Sequence, residues 1–493
     1  MSKKFKTPGI YVREINLPTP SITRVPTSIV AFVGYTEKAG NSTTSFLNQP
    51  KLITSFLEFE QNFGTAFVPK FTMDNASVPA SDTFLIGTQL KKINAYPSQL
   101  FFLHTAVRLF FENGGSKCFI VSVGGYTQIR NKITIHDELV GAVVDHNGIP
   151  LQGGLKALEH EDTSSILLIP DAVALEDDAY SIYQEMLNHC AQVGNRFAIL
   201  DIPGGAHPRS QGIDCITHFR ENIGTQNLKN AAVYYPWLVT RNFQEASFLH
   251  LNDDIDLKQV LPEDGIQPII DSETSTFEKH RALKTISPTY WEICKIIQKK
   301  INLQPPSGAI AGLFALTDAN RGVWKAPANI SISGVTQLSV AISSLDQRSL
   351  NVDPLTGKSI NAIRFFPGKG ILVWGARTLA GNDYDWRYLN IRRTMLMIEK
   401  SIMSGLKEFE SYENEPATWI RIKQLTENFL LQLWRDGALA GSRAEHSFFI
   451  RVGLNETMTS EDLNQDILIL ELGIAMSKPA EFIIERITIK MTG

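Results

Sequence analysis

Cysteine is scarce in this 493-residue chain, with four in all. Cys118, Cys190, Cys215 and Cys294 are scattered and none stands in a C-x-x-C pair, which excludes a disulfide framework and a thiolate metal site of ordinary spacing. They read as buried thiols of a reducing compartment. No run approaches the roughly 18 apolar residues of a spanning helix. The basic start MSKKFKTPGIYV has no apolar segment behind it, so no secretory leader is read and synthesis and assembly are expected in the cytosol. A basic excess is missing too: 47 Lys and Arg face 51 Asp and Glu, a net charge of -4. That balance argues against a dedicated nucleic-acid binder, which must neutralise phosphates. Partners are expected to be proteins, with no nucleic acid and no membrane contact by the chain itself.

Catalytic templates fail on residues the chemistry requires. TGKSI (356–360) has the Gly-Lys-Ser of a phosphate loop, but Val352 stands where its first glycine belongs, so the turn cannot wrap a phosphate. There is no G-x-S-x-G and no H-E-x-x-H. His160 beside Glu161, and His136 beside Asp137, are adjacent pairs whose side chains diverge, a poor start for a zinc site. Asp171 and Asp201 sit at equivalent ends of apolar runs, and the glycine pairs Gly124-Gly125 and Gly204-Gly205 follow CFIVSV and FAILDIP. Ligands of α/β sheets bind at such strand ends, which makes the two aspartates the best enzymatic candidates. No nucleophile or ligand set accompanies them. The chain therefore reads as a structural building block that is not an enzyme and needs no cofactor.

What is present is a core of ordinary richness, 43% hydrophobic and 20% charged, on a length that predicts two or three domains. Residues 7–20 read as an extended arm, because Pro8, Pro18 and Pro20 forbid a helix while Ile10, Tyr11, Val12 and Ile15 suit a strand. SIVAFVG (28–34), CFIVSV (118–123), SILLIPDA (165–172), FAILDIP (197–203) and AAVYYPWLV (231–239) are continuous apolar runs. With helical spacing between them, as at 177–192, they predict a doubly wound α/β domain whose strands are covered on both faces. Residues 243–279 carry nine acidic residues against Lys258 and Lys279 and read as a solvated excursion. Residues 321–393 are basic, with ten Lys or Arg and four Asp. FPGKGILVWGARTL (366–379) reads as a turn into a strand.

The last third has another grammar and predicts an α+β domain. Tyr388, Ile391, Met395, Ile398, Ile402 and Leu406 make one helical stripe, ending near Gly405. A second helix is predicted from Asn414 as N-cap to about Trp434, with Trp419, Ile422, Leu425, Phe429 and Leu433 on its apolar face and Arg421, Gln424, Asn428, Gln432 and Arg435 opposite. Strands follow at 447–452, 467–475 and 481–490. The expected division is an arm at 1–24, an α/β domain at 25–345 and a C-terminal domain at 346–493.

Seven segments in order, TPGIYV, VPTSIVAFVG, FFENGGSKCFIVSV, the block from PPSG to KAPAN, FPGKGILVWGARTL, LWRDGALAG and KPAEFI, resemble the sheath subunits of contractile phage tails and phage-tail-like injection systems. The resemblance implies an outer α/β domain and an inner α+β domain. It implies stacking as hexameric rings around an inner tube, with baseplate and terminal cap proteins as further partners, and contraction that drives the tube forward. It also implies terminal arms that add strands to neighbouring subunits. Unpaired strand edges recruit such donors, and Ile10, Tyr11 and Val12 at one end and Ile487 and Ile489 at the other suit the task. Candidate tube contacts are Arg421, Lys423 and Arg435 on the second helix, or the basic stretch with Arg392 and Arg393. Two alternatives stay open: a polymerising α/β enzyme or nucleotide-binding protein, and a baseplate or cap component sharing the C-terminal domain. Phage, bacteriocin, and released or anchored injection particle are equally compatible.

Overall fold

The computed structural model describes residues 21–41, 43–79, 83–95, 100–126, 131–141, 153–209, 214–243, 257–476 and 482–490, the last stretch by its strand pairing. Two compact units divide the chain, Val25–Ile398 and a smaller one of Met1–Arg24 with Glu399–Gly493. In chain order the described strands are β1 (Val30–Thr36), β2 (Lys51–Ile53), β3 (Phe71–Asn75), β4 (Thr83–Ile86), β5 (Gln89–Ala95), β6 (Cys118–Gly125), β7 (Ile166–Leu168), β8 (Phe197–Leu200) and β9 (Ala231–Tyr235). They continue with β10 (Leu238–Thr240), β11 (Leu303–Gln304), β12 (Ile330–Ser331), β13 (Val335–Leu338), β14 (Asn361–Phe366), β15 (Gly370–Val373), β16 (Phe448–Arg451), β17 (Ile467–Ala475) and β18 (Phe482–Lys490).

The larger unit is organised by a nine-stranded sheet in the order β12-β15-β14-β9-β8-β7-β1-β6-β2. The six strands from β14 to β6 pair in parallel, while β12, β15 and β2 are antiparallel at the edges. All seven residues of β1 are buried, as a strand covered on both faces requires. On one face lie Tyr183, Leu187 and Phe219 of the helices Ala179–Val193 and Cys215–Asn222. On the other lie Leu103, Phe110, Ile310 and Phe314 of the helices Leu103–Glu112 and Ser307–Arg321. Those last two helices cross closely because glycine stands at the contact: a Cβ on Gly308 would lie 2.3 Å from the Ala106 carbonyl oxygen. The doubly wound expectation for residues 100–240 matches this chain path, which runs outward from β1 to β6 and then reverses to β7, β8 and β9.

Two expectations are corrected here. Residues 346–398 belong to the larger unit, because β14 and β15 extend its sheet and Leu389 and Leu396 enter its core. The acidic stretch 243–279 is not a solvated excursion over its described part. Phe243, Leu257, Leu261 and Ile266 are buried in a separate core with Leu283, Tyr290, Ile293 and Ile297, against Phe71, Phe84 and Ile93 of the small sheet β3-β5-β4. Few apolar residues suffice because the covering surface comes from a segment far earlier in the chain. The helix Thr276–Ile286 begins on a capping box between Ser275 and Glu278, so one of the acidic residues serves to start a helix.

The smaller unit contains the antiparallel sheet β16-β17-β18 and the helix Pro416–Arg435. The helix Leu389–Leu406 contains the division between the units. No helix among the described residues is long and apolar enough to cross a membrane.

Candidate assembly surfaces

The sheet of the smaller unit is built on β17, whose sequence ILILELGIA alternates half-buried Ile467, Ile469 and Glu471 with buried Leu468, Leu470 and Leu472. Antiparallel β16 lies on one side and antiparallel β18 on the other. Gly473 leaves room for an aromatic ring, since a Cβ there would fall 2.0 Å from Phe449. The strand β18 places Ile487 opposite Leu470 and Ile489 opposite Leu468, within the same chain. The arm residues Ile10, Tyr11 and Val12 lie outside the described residues.

The helix Pro416–Arg435 is fixed at both ends by indole hydrogen bonds. Trp419 Nε1 donates to Asn414 Oδ1 at 2.7 Å while Asn414 Nδ2 donates to the Ile467 carbonyl at 3.2 Å, tying the helix start to β17. Trp434 Nε1 donates to the Gly441 carbonyl at 2.9 Å. Asn414 is therefore spent on tertiary bonds, and the N-cap is Glu415, which makes no side-chain cap bond. The buried stripe is Thr418, Ile422, Thr426, Phe429, Leu430 and Leu433; Trp419 and Leu425 are half-buried.

On the opposite face Arg421 and Arg435 are exposed, and Lys423 is exposed at its margin. No ion pair engages any of the three among the described residues. Arg421, Gln424, Asn428 and Gln432 form one wall of a groove of about 610 Å³, with Ile22 and Tyr412 among its other lining residues. Ser21 and Ile22 line the same groove, and Gly405 admits Ile22: a Cβ there would meet it at 2.7 Å.

Arg392 and Arg393 are removed from the tube-contact candidates, because both are buried. Arg393 makes a forked pair with Asp318, Nη1 to Oδ1 at 3.0 Å and Nη2 to Oδ2 at 2.6 Å, with side chains 3% and 4% exposed. Arg392 Nε donates to Asn230 Oδ1 at 3.1 Å and its guanidinium covers the Trp386 ring. Their basic sequence context hid two internal partners, Asp318 and Asn230, that stand 75 and 162 positions away.

The enzymatic candidates resolve into scaffold chemistry. Asp171 accepts the backbone N–H of Tyr35 at 2.7 Å, Phe102 at 2.5 Å and Leu103 at 3.0 Å, so it caps the helix Leu103–Glu112. Asp201 accepts from the Ser307 N–H at 3.0 Å and from its hydroxyl, capping the helix Ser307–Arg321. Burial raises both carboxyls against the pull of those bonds, Asp171 to about 6 and Asp201 to about 7. Lys358 of the TGKS string is buried and donates to the Arg220 carbonyl, and Glu161 turns to Thr163 and Ser164. Among the described residues no cluster of His, Cys, Asp or Glu could hold a metal ion. All four cysteines are buried and none is in a disulfide.

Sequence comparison places the chain in a family. The phage tail sheath protein central domain matches residues 171–379, and the phage tail sheath C-terminal domain matches residues 382–490. The chain belongs to the phage tail sheath family. A prophage major tail sheath protein of Pseudomonas aeruginosa strain UCBPP-PA14 is 36% identical to this sheath chain over 104 residues, covering 21% of it and 26% of the relative. The tail sheath protein of Burkholderia phage BcepMu is 28% identical over 145 residues, 29% and 30% of the two chains. The sheath chain thus matches between about a quarter and a third of the length of these curated relatives. Solved structures align almost throughout. The anti-feeding prophage helical sheath in its contracted state superposes with a TM-score of 0.58 at 25% identity, over 98% of both chains. The contracted PVC sheath complex of an extracellular contractile injection system gives 0.58 at 23% identity over 98% of each. A crystal structure of a sheath tail protein from Desulfitobacterium hafniense shares the fold at 0.52 with 10% identity.

Proposed function

We propose that this chain polymerises as stacked hexameric rings around an inner tube, and that the resulting sheath contracts to drive the tube into a target. The observation that carries the reading is the alignment with the contracted anti-feeding prophage sheath over 98% of both chains. Strand edges support it physically. β18 is an outer strand of its sheet among the described residues, and an outer strand is where another chain's strand is added or exchanged, with main-chain bonds giving affinity and alternate side chains giving register. The donors are the arm with Ile10, Tyr11 and Val12 and the strand with Ile487 and Ile489. A head-to-tail contact that does not close on itself generates a helical filament, the geometry a sheath needs.

The tube-facing candidate is the exposed polar face with Arg421 and Arg435, and Lys423 at its margin, directed at acidic groups on the tube. Contraction draws on the difference between two packings of the same subunits; a few kcal/mol per subunit suffices when many switch together. A baseplate holds one end of the sheath and a cap protein the other.

Negative-stain microscopy of the purified chain tests this. Rods of stacked rings are expected from the full chain, and soluble protein without rods from a variant lacking residues 1–20. Normal rods from that truncation would sink the arm as a link. Arg421→Glu with Lys423→Glu is expected to weaken co-assembly with the tube protein and to leave empty sheaths unaffected; unchanged co-assembly removes this helix from the contact. Contraction that strictly requires added nucleotide would contradict the two-lattice energy source.

A further inference from the structure

β17 and β18 pair without a register shift along their whole length, from Ile467 opposite Lys490 to Ala475 opposite Phe482. β17 ends at residue 475 and β18 begins at 482, leaving six residues, 476–481, to connect them. Neighbouring antiparallel strands lie only about 4.8 Å apart and a two-residue loop can join them. Six residues therefore close the pair within one chain at a small cost in loop entropy. A strand arriving from another copy gives up translational and rotational freedom that the tethered strand does not. At low concentration the chain's own strand wins.

The two sides of the sheet are protected differently. β17 is long and apolar, the kind of edge that recruits other chains and aggregates when left open, and it is the one that β18 covers. The outer side of β16 is only four residues long and ends in exposed Arg451, whose guanidinium lies 4.9 Å from the Phe449 ring centre and 3.9 Å from Glu471. Short, charged edges resist pairing.

We infer that β18 is an autoinhibitory strand: in the free subunit it occupies the edge of β17, keeps the chain monomeric, and must leave before a neighbour's strand can take its place. This rests on the reading of residues 482–490 as an exchanged strand. It adds that exchange is opposed by a closed form of the same chain, so polymerisation is concentration-dependent and slow to start, and is promoted by any surface that binds the released strand.

Two variants test it. Ile469→Cys with Thr488→Cys places cysteines opposite each other across β17 and β18, while the native cysteines stay buried. Oxidised, this protein is expected to sediment as a monomer under conditions where wild type forms rods, and reduction should restore rods, which also controls for folding. The second variant deletes residues 477–481, leaving Met476 alone as the connection, shorter than the two-residue loop a hairpin needs. Keeping the register then costs at least the Ala475–Phe482 pair, which weakens self-pairing against exchange, and polymers are expected with a shorter lag and at concentrations that leave wild type monomeric. Equal assembly of the oxidised and reduced protein overturns the inference and leaves the sheath reading standing, since rods have then formed. A deletion variant that stays monomeric while wild type polymerises overturns it as well. Failure of wild type and both variants to polymerise at any concentration defeats the sheath reading and the inference together.

Discussion

Replacing Arg393 by Met would leave Asp318 as a buried, unpaired carboxylate. The pair is forked, its two side chains are almost fully buried, and it is joined to Thr27 twice: the Thr27 hydroxyl donates to Asp318 Oδ2 at 2.6 Å, and Arg393 Nη2 donates to the Thr27 carbonyl at 2.8 Å. The guanidinium also lies 4.6 Å from the Phe314 ring centre. Breaking a buried pair by removing one partner costs about 3 to 5 kcal/mol, so Arg393→Met and Asp318→Leu should each destabilise the larger unit by about that much. Removing both leaves no charge behind. It orphans only the hydroxyl and carbonyl of Thr27, at about 1 kcal/mol each, so the double variant should be about 2 kcal/mol below wild type, better than either single one. Urea unfolding of the unpolymerised chain, followed by tryptophan fluorescence, measures the cycle, with Arg421→Met as an exposed control expected to stay within about 0.5 kcal/mol of wild type. Additive single effects, or single effects below about 1 kcal/mol, would refute the claim that these charges depend on each other.

Other consequences are as direct. Gly308→Ala forces a methyl toward the Ala106 carbonyl and should cost about 1 to 3 kcal/mol by separating the two helices that cross there, read as a lowered melting temperature. The Asp201 carboxyl, raised to about 7 by burial, holds its proton in the fold to a higher pH than in the unfolded chain, where carboxyls titrate near pH 3.9. Its contribution is therefore fully present below about pH 4 and lost as pH rises through about 7. Asp201→Asn, which can still accept from the Ser307 N–H and donate to its hydroxyl, should flatten that decline; an unchanged slope of melting temperature against pH would show that Asp201 does not cause it.

The parallel core was legible because β1, β7, β8 and β9 are apolar on both faces, a pattern that needs no knowledge of partners. The C-terminal helix and strands were legible through their periodicity, and the register of β18 on β17 keeps the alternation read from Ile487 and Ile489. What stayed hidden was non-local. The partner of Arg393 lies in the string LTDAN, where Asp318 looks like any helix-end carboxylate. Asp171 and Asp201 were located at strand ends correctly, but their meaning depended on which helix N-termini met them. The acidic stretch misled because charge was counted without the sheet that covers its few apolar residues.

That covering has a consequence in time. The apolar side of β3, β4 and β5, with Phe71, Phe84 and Ile93, is completed only by helices reaching to Ile301. β5 ends at Ala95, so on the order of 200 residues must still be made, about 10 to 40 s of synthesis at roughly 5–20 residues per second. During that interval the nascent chain presents an unfinished hydrophobic surface. Shielding of that surface is therefore expected to matter on the ribosome, before the chain is complete.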